Sequence, residues 1–390
     1  MSNFRKLELG RLITNERTRG YVIQIVLMVS LIAIILFFVI NAINNLEKVG
    51  LASGYGFLSD TASFDINQRL IDYSSTSTYG RAIMVGGLNT ILIAFLGIIT
   101  ATLIGFVCGV LRLSDNFLIR TTIGAYVEFV RNVPVLLQII FWWVILLTLP
   151  KVKESMSFLE TVFLNNRGVT FPSPVMGEGS GFVITALLIS ILISYFYCRW
   201  NNKRFENTGD RKSVFGLVIG LIFIIPLSMY FLLGSPIGLD IPERGRFNLN
   251  GGINITPELF ALWIALSTYT AAFISEIVRA GILSVSKGQI EAAKALGLPR
   301  KLIMKEIILP QALRVIIPPL TSQYLNLTKN SSLAVAIGYQ DIVSIGDTVL
   351  NQSGHALEVV SIFMFFYLSL SLITSLFMNW YNKKIELVER

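Results

Sequence analysis

The chain has 390 residues, of which 53% are hydrophobic and only 14% are charged. Soluble domains of this size carry about a quarter charged residues, so the composition excludes an ordinary globular core. Apolar runs of helical length alternate with short charged segments, which predicts an all-α polytopic membrane protein. The runs are too long and continuous for an outer-membrane barrel. The net charge of +8 is interpreted as a topology signal, and no nucleic-acid partner is expected.

Eight membrane-spanning helices are predicted, because a helix needs about 20 mostly apolar residues to cross the hydrocarbon. They lie near 21–43, 86–111, 132–149, 181–198, 214–233, 258–278, 315–338 and 357–381. The third is short, and the seventh is polar for a membrane span. A basic segment precedes the first span, whose apolar run is too long for a cleaved signal, so this span is expected to be retained.

The distribution of Lys and Arg predicts the orientation of the spans. With a cytoplasmic N-terminus, the inside segments contain 23 of the 32 Lys and Arg residues, and the outside segments contain 8. The remaining one, Lys329, lies within a span. A missed span would move every later loop to the other side and abolish this bias. Both termini are therefore expected to be cytoplasmic, with the spans surrounded by the lipid bilayer.

The segment between the sixth and seventh spans is the most patterned part of the chain, and the charge count places it on the cytoplasmic side. Ser286 and Gln289 have the spacing of a capping box, which predicts that a helix begins there. Gly297 is suited to end that helix and Pro299 to begin a second one. The second helix is expected to end near Pro310.

Two interpretations of this segment are open on physical grounds. A basic amphipathic helix beside a membrane span often lies on lipid. The small residues Ala292, Ala293 and Ala295 favour the other interpretation, because they allow another surface to approach closely, whereas lipid anchoring favours bulky side chains.

The segment Glu291-Ala292-Ala293-Lys294-Ala295-Leu296-Gly297, followed by Ile308-Leu309-Pro310, closely resembles the EAA loop of binding-protein-dependent ABC importer permeases. Four further segments resemble the polar amino acid branch of that family, in the same order along the chain. They are 87–90, 126–134, 269–289 and 327–333. The general L-amino acid permeases of that branch are similar in having a longer layout, with extra spans between the two halves of the core.

The resemblance implies the type I importer permease fold with a two-helix insertion. It implies a permease subunit that moves L-amino acids, of polar or broad range, from the periplasm to the cytoplasm by alternating access. The EAA loop would be the coupling helix that docks on an ATPase. The coupling residues implied are Gln289, Glu291, Ala292, Ala293, Ala295, Leu296, Gly297, Leu298 and Pro310.

The resemblance also implies a location in the bacterial inner membrane and a set of partners. These are a second permease subunit, forming a heterodimer, two ATPase subunits and a periplasmic amino acid-binding protein. The chain has no Gly-Lys pair and therefore no phosphate-binding loop of the Gly-x-x-x-x-Gly-Lys type. We expect no enzymatic activity and no cofactor in this chain, with ATP-Mg bound by the partner ATPase. One histidine and two separated cysteines predict neither catalytic residues nor a metal site.

On this interpretation the chain has four segments. They are 1–84 with the first span and an outside loop, 85–149 with the first part of the permease core, 150–257 with outside loops and two inserted spans, and 258–390 with the second part of the core and the coupling loop 280–310. The outside segments 150–180 and 234–257 have the Gly- and Pro-rich composition of loops, and no folded domain is expected in them.

Polar residues inside the spans are candidates for the substrate pathway, because such groups are costly in lipid. An amino acid needs donors for its carboxylate and acceptors for its ammonium group. The candidates are Asn89, Thr90, Gln138, Ser267, Tyr269, Thr270, Ser275, Gln323, Asn326, Lys329, Asn330 and Ser331. The competing interpretation is that these groups tie helices together.

Charged residues near the inner face allow several pairings. Lys329 either attracts a substrate carboxylate or pairs with Glu276 or Glu128, and Glu128 with Arg131 is a candidate structural pair. The alternative function is an ion-coupled secondary transporter of small polar solutes. Such proteins often show inverted repeats and buried carboxylates near the membrane midplane, and neither pattern stands out in this sequence.

Overall fold

The computed structural model describes residues 16–48, 54–209, 213–245 and 248–385 and is mainly helical. Its helices are α1 (Glu16–Lys48), α2 (Tyr79–Leu111), α3 (Phe117–Asn132), α4 (Val135–Leu147), α5 (Ser180–Thr208), α6 (Phe215–Ile219), α7 (Ile225–Leu232), α8 (Pro257–Leu283), α9 (Lys287–Ala295), α10 (Arg300–Leu302), α11 (Leu309–Asn330), α12 (Ile342–Ser353) and α13 (Ala356–Ile385). Several basic residues used to predict the orientation lie outside the described residues. They are Arg5, Lys6, Arg11, Arg211, Lys212, Arg246 and Arg390.

Within the described ranges, six helices are long and apolar enough to cross a membrane, and there are eight spans if each of two bent helix pairs counts as one. The two bent pairs correspond to the predicted third and seventh spans. The all-α polytopic class is therefore confirmed, and the helices differ from the prediction mainly where they bend.

The predicted third span, 132–149, belongs to a bent pair in which α3 and α4 meet at 106°. Pro134 has no N–H group, and it keeps Val133 before it in an extended conformation, so the helix breaks there. Segment 112–131 was expected to be an inside connection, but most of it is α3. The side chain of Asn116 caps the start of that helix.

The predicted seventh span, 315–338, begins earlier, at Leu309, and narrows to a 3₁₀ helix over Ser331–Ile337. Gly338 ends it with a φ of 76°. The carboxylate of Asp341 then caps α12, which lies where the sequence predicted a plain outside connection.

Two π-helical turns interrupt helices, and each comes just before a proline. One turn, Gly220–Ile224, precedes Pro226, and the other, Ile303–Ile308, precedes Pro310. Proline donates no hydrogen bond, and its ring clashes with the carbonyl four residues earlier, so the wider turn lets the helix continue. The second predicted helix of the cytoplasmic segment consequently does not end near Pro310 but continues into α11.

The described chain forms two compact units. One comprises the described residues up to Phe95 and from Ala280 onward, and the other is Leu96–Arg279. In the first unit, the segment before α2 packs with α12 and α13 around the buried residues Ile66, Ile342 and Val359. This core holds the three segments together.

In the second unit, α2 and α8 pack closely along a seam of glycines. A Cβ atom at Gly105 would lie 2.6 Å from Cβ of Ile274, and one at Gly109 would lie 2.7 Å from Cβ of Val278. Glycines four residues apart on one helix face are typical of tight contacts between membrane helices. The seam therefore holds the two helices closer than any residue with a side chain would allow.

The inserted region 150–257 contains strands, which corrects the expectation of loops. A four-stranded antiparallel sheet has the order β1 (Met156–Phe158), β2 (Val162–Asn165), β3 (Gly168–Phe171) and β8 (Ile253–Ile255). Two smaller ladders pair β4 (Ser173–Met176) with β5 (Ile237–Asp240), and β6 (Glu243–Arg244) with β7 (Leu249–Asn250). The strands were not predicted because each is too short to be recognised individually. The four-stranded sheet is also completed by β8, which is distant in sequence from β1, β2 and β3.

Candidate coupling loop and substrate pathway

Helix α9 begins at the predicted position but without the predicted capping box. Ser286 is the N-cap residue, yet its side chain accepts no hydrogen bond from the helix. Its backbone carbonyl instead accepts from the N–H of Gln289 at 3.2 Å. The start of the helix was therefore predicted correctly, whereas the contact expected to stabilise it was wrong.

The end of α9 is a Schellman motif centred on Gly297, which has a φ of 73°. The N–H of Gly297 donates to the carbonyl of Lys294 at 2.9 Å, and the N–H of Leu298 donates to the carbonyl of Ala293 at 3.2 Å. The two bonds satisfy carbonyls that the helix leaves free. This confirms that Gly297 ends the helix.

The small residues of α9 divide into a buried and an exposed set. Ala293 is 2% exposed and Ile303 is 3% exposed, and α9 packs on the π-helical turn that contains Ile303. Glu291, Ala292 and Ala295 are exposed, and Leu296 is 79% exposed at the end of the helix. The exposed face thus combines small residues with one protruding leucine, and this suits docking by another protein.

Some predicted pathway residues form hydrogen bonds within the first unit. Asn89 is fully buried, and its Nδ2 donates to the carbonyl oxygens of Gln68 and Gln340. The hydroxyl of Thr90 accepts from the N–H of Ile342 at 3.1 Å. These bonds join α2 to Gln68, to Gln340 and to the first residue of α12, as the helix-tying interpretation expects.

The predicted pathway residues of α11 are more accessible. Asn326 and Lys329 are exposed, and Gln323 and Asn330 are partly exposed. Ser331, at the start of the 3₁₀ helix, is buried and donates to the carbonyl of Thr328.

In the second unit, the predicted polar residues lie mostly at helix contacts. The hydroxyls of Ser267 and Thr100 are 2.5 Å apart, and Thr270 and Ser275 are buried. The ring of Tyr269 lies 5.0 Å from that of Phe273. The amide of Gln138 donates to the carbonyls of Val130 and Val133, which are left free where Pro134 interrupts the helix.

The bend between α3 and α4 borders a cavity of about 420 Å³. Gln138 is the predicted pathway residue that lines it, together with Thr268. The other lining residues are apolar or aromatic: Tyr126, Phe129, Val130, Val133, Leu137, Phe141 and Trp142. These residues were not predicted because they are not polar, although the cluster of aromatic residues around Pro134 was a usable signal.

The ion pair of Arg131 differs from the expected one. Arg131 lies 4.0 Å from the carboxylate of Glu276, and its guanidinium also lies over the ring of Phe273, 5.3 Å from the centroid. Glu276 also contacts Arg112 and Arg279. The candidate pair of Glu128 with Arg131 is therefore replaced by a pair with Glu276.

Many apolar spans and an exposed helix–glycine–helix segment are features of a membrane permease subunit. A family model, described as the inner membrane component of binding-protein-dependent transport systems, matches residues 199–387. The chain is 50% identical to the general L-amino acid transport system permease protein AapQ of Rhizobium johnstonii, over 96% of this chain and 94% of the relative.

Two more relatives match along almost their full length. The putative amino-acid ABC transporter permease protein YhdX of Escherichia coli is 45% identical, over 100% of both chains. The glutamate/glutamine/aspartate/asparagine transport system permease protein BztB of Rhodobacter capsulatus is 41% identical, over 98% of this chain and 97% of the relative.

The chain therefore belongs to the amino acid ABC transporter permeases, within the family of binding-protein-dependent transport system inner membrane components. Membership confirms the predicted family and gives the chain the type I importer permease fold of that family. It also makes the chain an inner-membrane component of a system that includes an ATPase and a solute-binding protein.

Proposed function

We propose that this chain carries L-amino acids, of polar or broad range, from the periplasm to the cytoplasm by alternating access. The observation that carries the proposal is the surface formed by α9, on which Glu291, Ala292, Ala295 and Leu296 are exposed beside the Gly297 turn. An ATPase docks on this surface, and ATP binding shifts the balance between two positions of the docked loop. The names of the relatives, general L-amino acid and glutamate/glutamine/aspartate/asparagine permeases, support the substrate class.

The energy source lies outside this chain. The absence of a Gly-Lys pair from the sequence supports ATP-Mg binding on the ATPase subunits alone and no enzymatic activity or cofactor here. The concentration of Lys and Arg in alternate segments supports a cytoplasmic coupling loop and cytoplasmic termini.

The complete importer contains this chain, a second and different permease subunit, two ATPase subunits and a periplasmic amino acid-binding protein. The accessible polar residues of α11, Gln323, Asn326, Lys329 and Asn330, contribute to the substrate pathway.

The test is affinity purification of the tagged chain from its native membrane, followed by reconstitution into liposomes. We expect a second permease and an ATPase to co-purify, and uptake of ¹⁴C-labelled L-amino acids to require ATP and the binding protein. Uptake that follows an ion gradient, with no ATPase in the complex, would favour a secondary transporter instead.

A further inference from the structure

Three arginines surround the carboxylate of Glu276 in the second unit. Nη2 of Arg279 lies 2.9 Å from Oε1, Arg112 contacts Oε2 directly, and Nη1 of Arg131 lies 4.0 Å from Oε2. Both carboxylate oxygens are therefore engaged by positive charge. The group contains three cations and one anion.

The four residues come from the ends of three helices. Arg112 directly follows α2, Arg131 lies in the last turn of α3, and Glu276 and Arg279 lie near the end of α8. Glu276 is thus the common counter-ion of all three helix ends.

Partial burial makes this group sensitive to the loss of its anion. The side chain of Arg112 is 12% exposed, and that of Glu276 is 28% exposed. Charges that are shielded from water interact more strongly, and removing one partner leaves the others uncompensated. Without the carboxylate, three guanidinium groups would repel one another.

Apart from these ion pairs, α2 and α8 are packed closely, whereas α3 makes fewer contacts with them. The glycine seam already fixes α2 to α8, and Arg112 lies one turn beyond Gly109, at the end of that seam. Helix α3 is attached by the hydroxyl of Tyr126, which donates to the carbonyl of Thr268 at 2.8 Å, and by a small apolar cluster. The ion pairs of Glu276 therefore link the end of α3 to the packed pair of α2 and α8.

We infer that Glu276 is a positioning residue of the transport cycle. It makes the ends of α2, α3 and α8 move as one body, just before the chain continues through residues 284–286 into the coupling helix α9. The inference rests on the proposed function. When the docked loop moves, α2, α3 and α8 therefore move together. Loss of the Glu276 carboxylate lets ATP be hydrolysed without a matching amount of transport.

The test uses the reconstituted complex and measures labelled amino acid taken up per ATP hydrolysed. Glu276→Gln is expected to lower this ratio about tenfold while the ATPase still co-purifies in normal amount. The matched control is Glu258→Gln, because Glu258 is a carboxylate in the first turn of the same helix, away from the three arginines. This control is expected to keep the wild-type ratio.

Arg131→Gln provides a second variant in case Glu276→Gln does not assemble, because Arg131 is the most loosely held of the three arginines and leaves the carboxylate in place. A lowered ratio in Arg131→Gln supports the inference. A purely structural role would reduce complex yield and leave the ratio unchanged, and that result would overturn the inference. If the wild-type complex itself shows no ATP-driven uptake, the proposed function fails instead.

Discussion

The backbone N–H of Leu298 donates to the carbonyl oxygen of Ala293 at 3.2 Å, and this bond closes the end of α9. It forms because Gly297, between them, adopts the left-handed conformation that closes a Schellman motif. The turn buries Ala293 and leaves Leu296 protruding. The shape of the proposed docking surface therefore depends on one backbone conformation.

Replacing Gly297 tests that dependence. Gly297→Val should reduce both uptake and ATPase co-purification, because a left-handed residue other than glycine costs ~1–2 kcal/mol. No atom lies within 4 Å of the Cβ position, so the effect would come from the backbone and not from a clash. Gly297→Asn, which tolerates this conformation, is the control and should retain most activity. Normal uptake by the valine variant would contradict the role of the turn.

Leu296 is expected to contribute to docking and little to folding, because it is 79% exposed. Leu296→Asp should leave thermal stability in detergent unchanged and markedly reduce the ATPase retained in pull-downs. Leu239→Asp provides the control, since Leu239 is 67% exposed on β5 in the inserted region. Equal ATPase retention by the two variants would show that Leu296 lies outside the docking surface.

The glycine seam predicts a stability effect. Gly105→Ala would place a Cβ atom 2.6 Å from Ile274, and such overpacking typically costs ~1–3 kcal/mol. The melting temperature in detergent should fall. Gly124→Ala in α3, where no atom lies within 4 Å of the new Cβ, should leave it unchanged or raise it slightly. A neutral Gly105→Ala would show that α2 and α8 are not packed this closely.

Substitutions at Asn89 and Asn326 distinguish polar residues that hold helices together from those that line the substrate pathway. Asn89→Asp would put a carboxylate oxygen where an amide N–H now donates to two carbonyls, so stability should fall by ~1–3 kcal/mol. Asn326→Ala should leave stability unchanged, because Asn326 is exposed, and should lower uptake. Melting curves and uptake rates measure the two effects. Wild-type uptake by Asn326→Ala would remove that residue from the pathway.

The helices and the turn at Gly297 could be predicted because local signals determine them. Apolar runs long enough to cross the membrane identify the spans, and Gly297 followed by Pro299 identifies the turn. The π-helical turn before Pro310 was not predicted, because a proline that ends most helices can also be accommodated by a wider turn.

Other features depend on partners distant in sequence. The strand β3 pairs with β8, and Val169 lies opposite Ile255. Neither strand can be recognised alone, because each is only three or four residues long. The three arginines around Glu276 are likewise brought together only by packing of the helices.

The same pairing brings the two ends of segment 150–257 close together. The N–H of Asn166 donates to the carbonyl of Pro150 at 3.0 Å, and the adjoining strand β3 pairs with β8, which ends two residues before α8 begins. The chain thus departs after α4 and returns before α8 at neighbouring points. A segment bounded in this way can be grafted or excised with a short linker, without separating the flanking helices. Residues 150–257 therefore have the geometry of a removable module between α4 and α8.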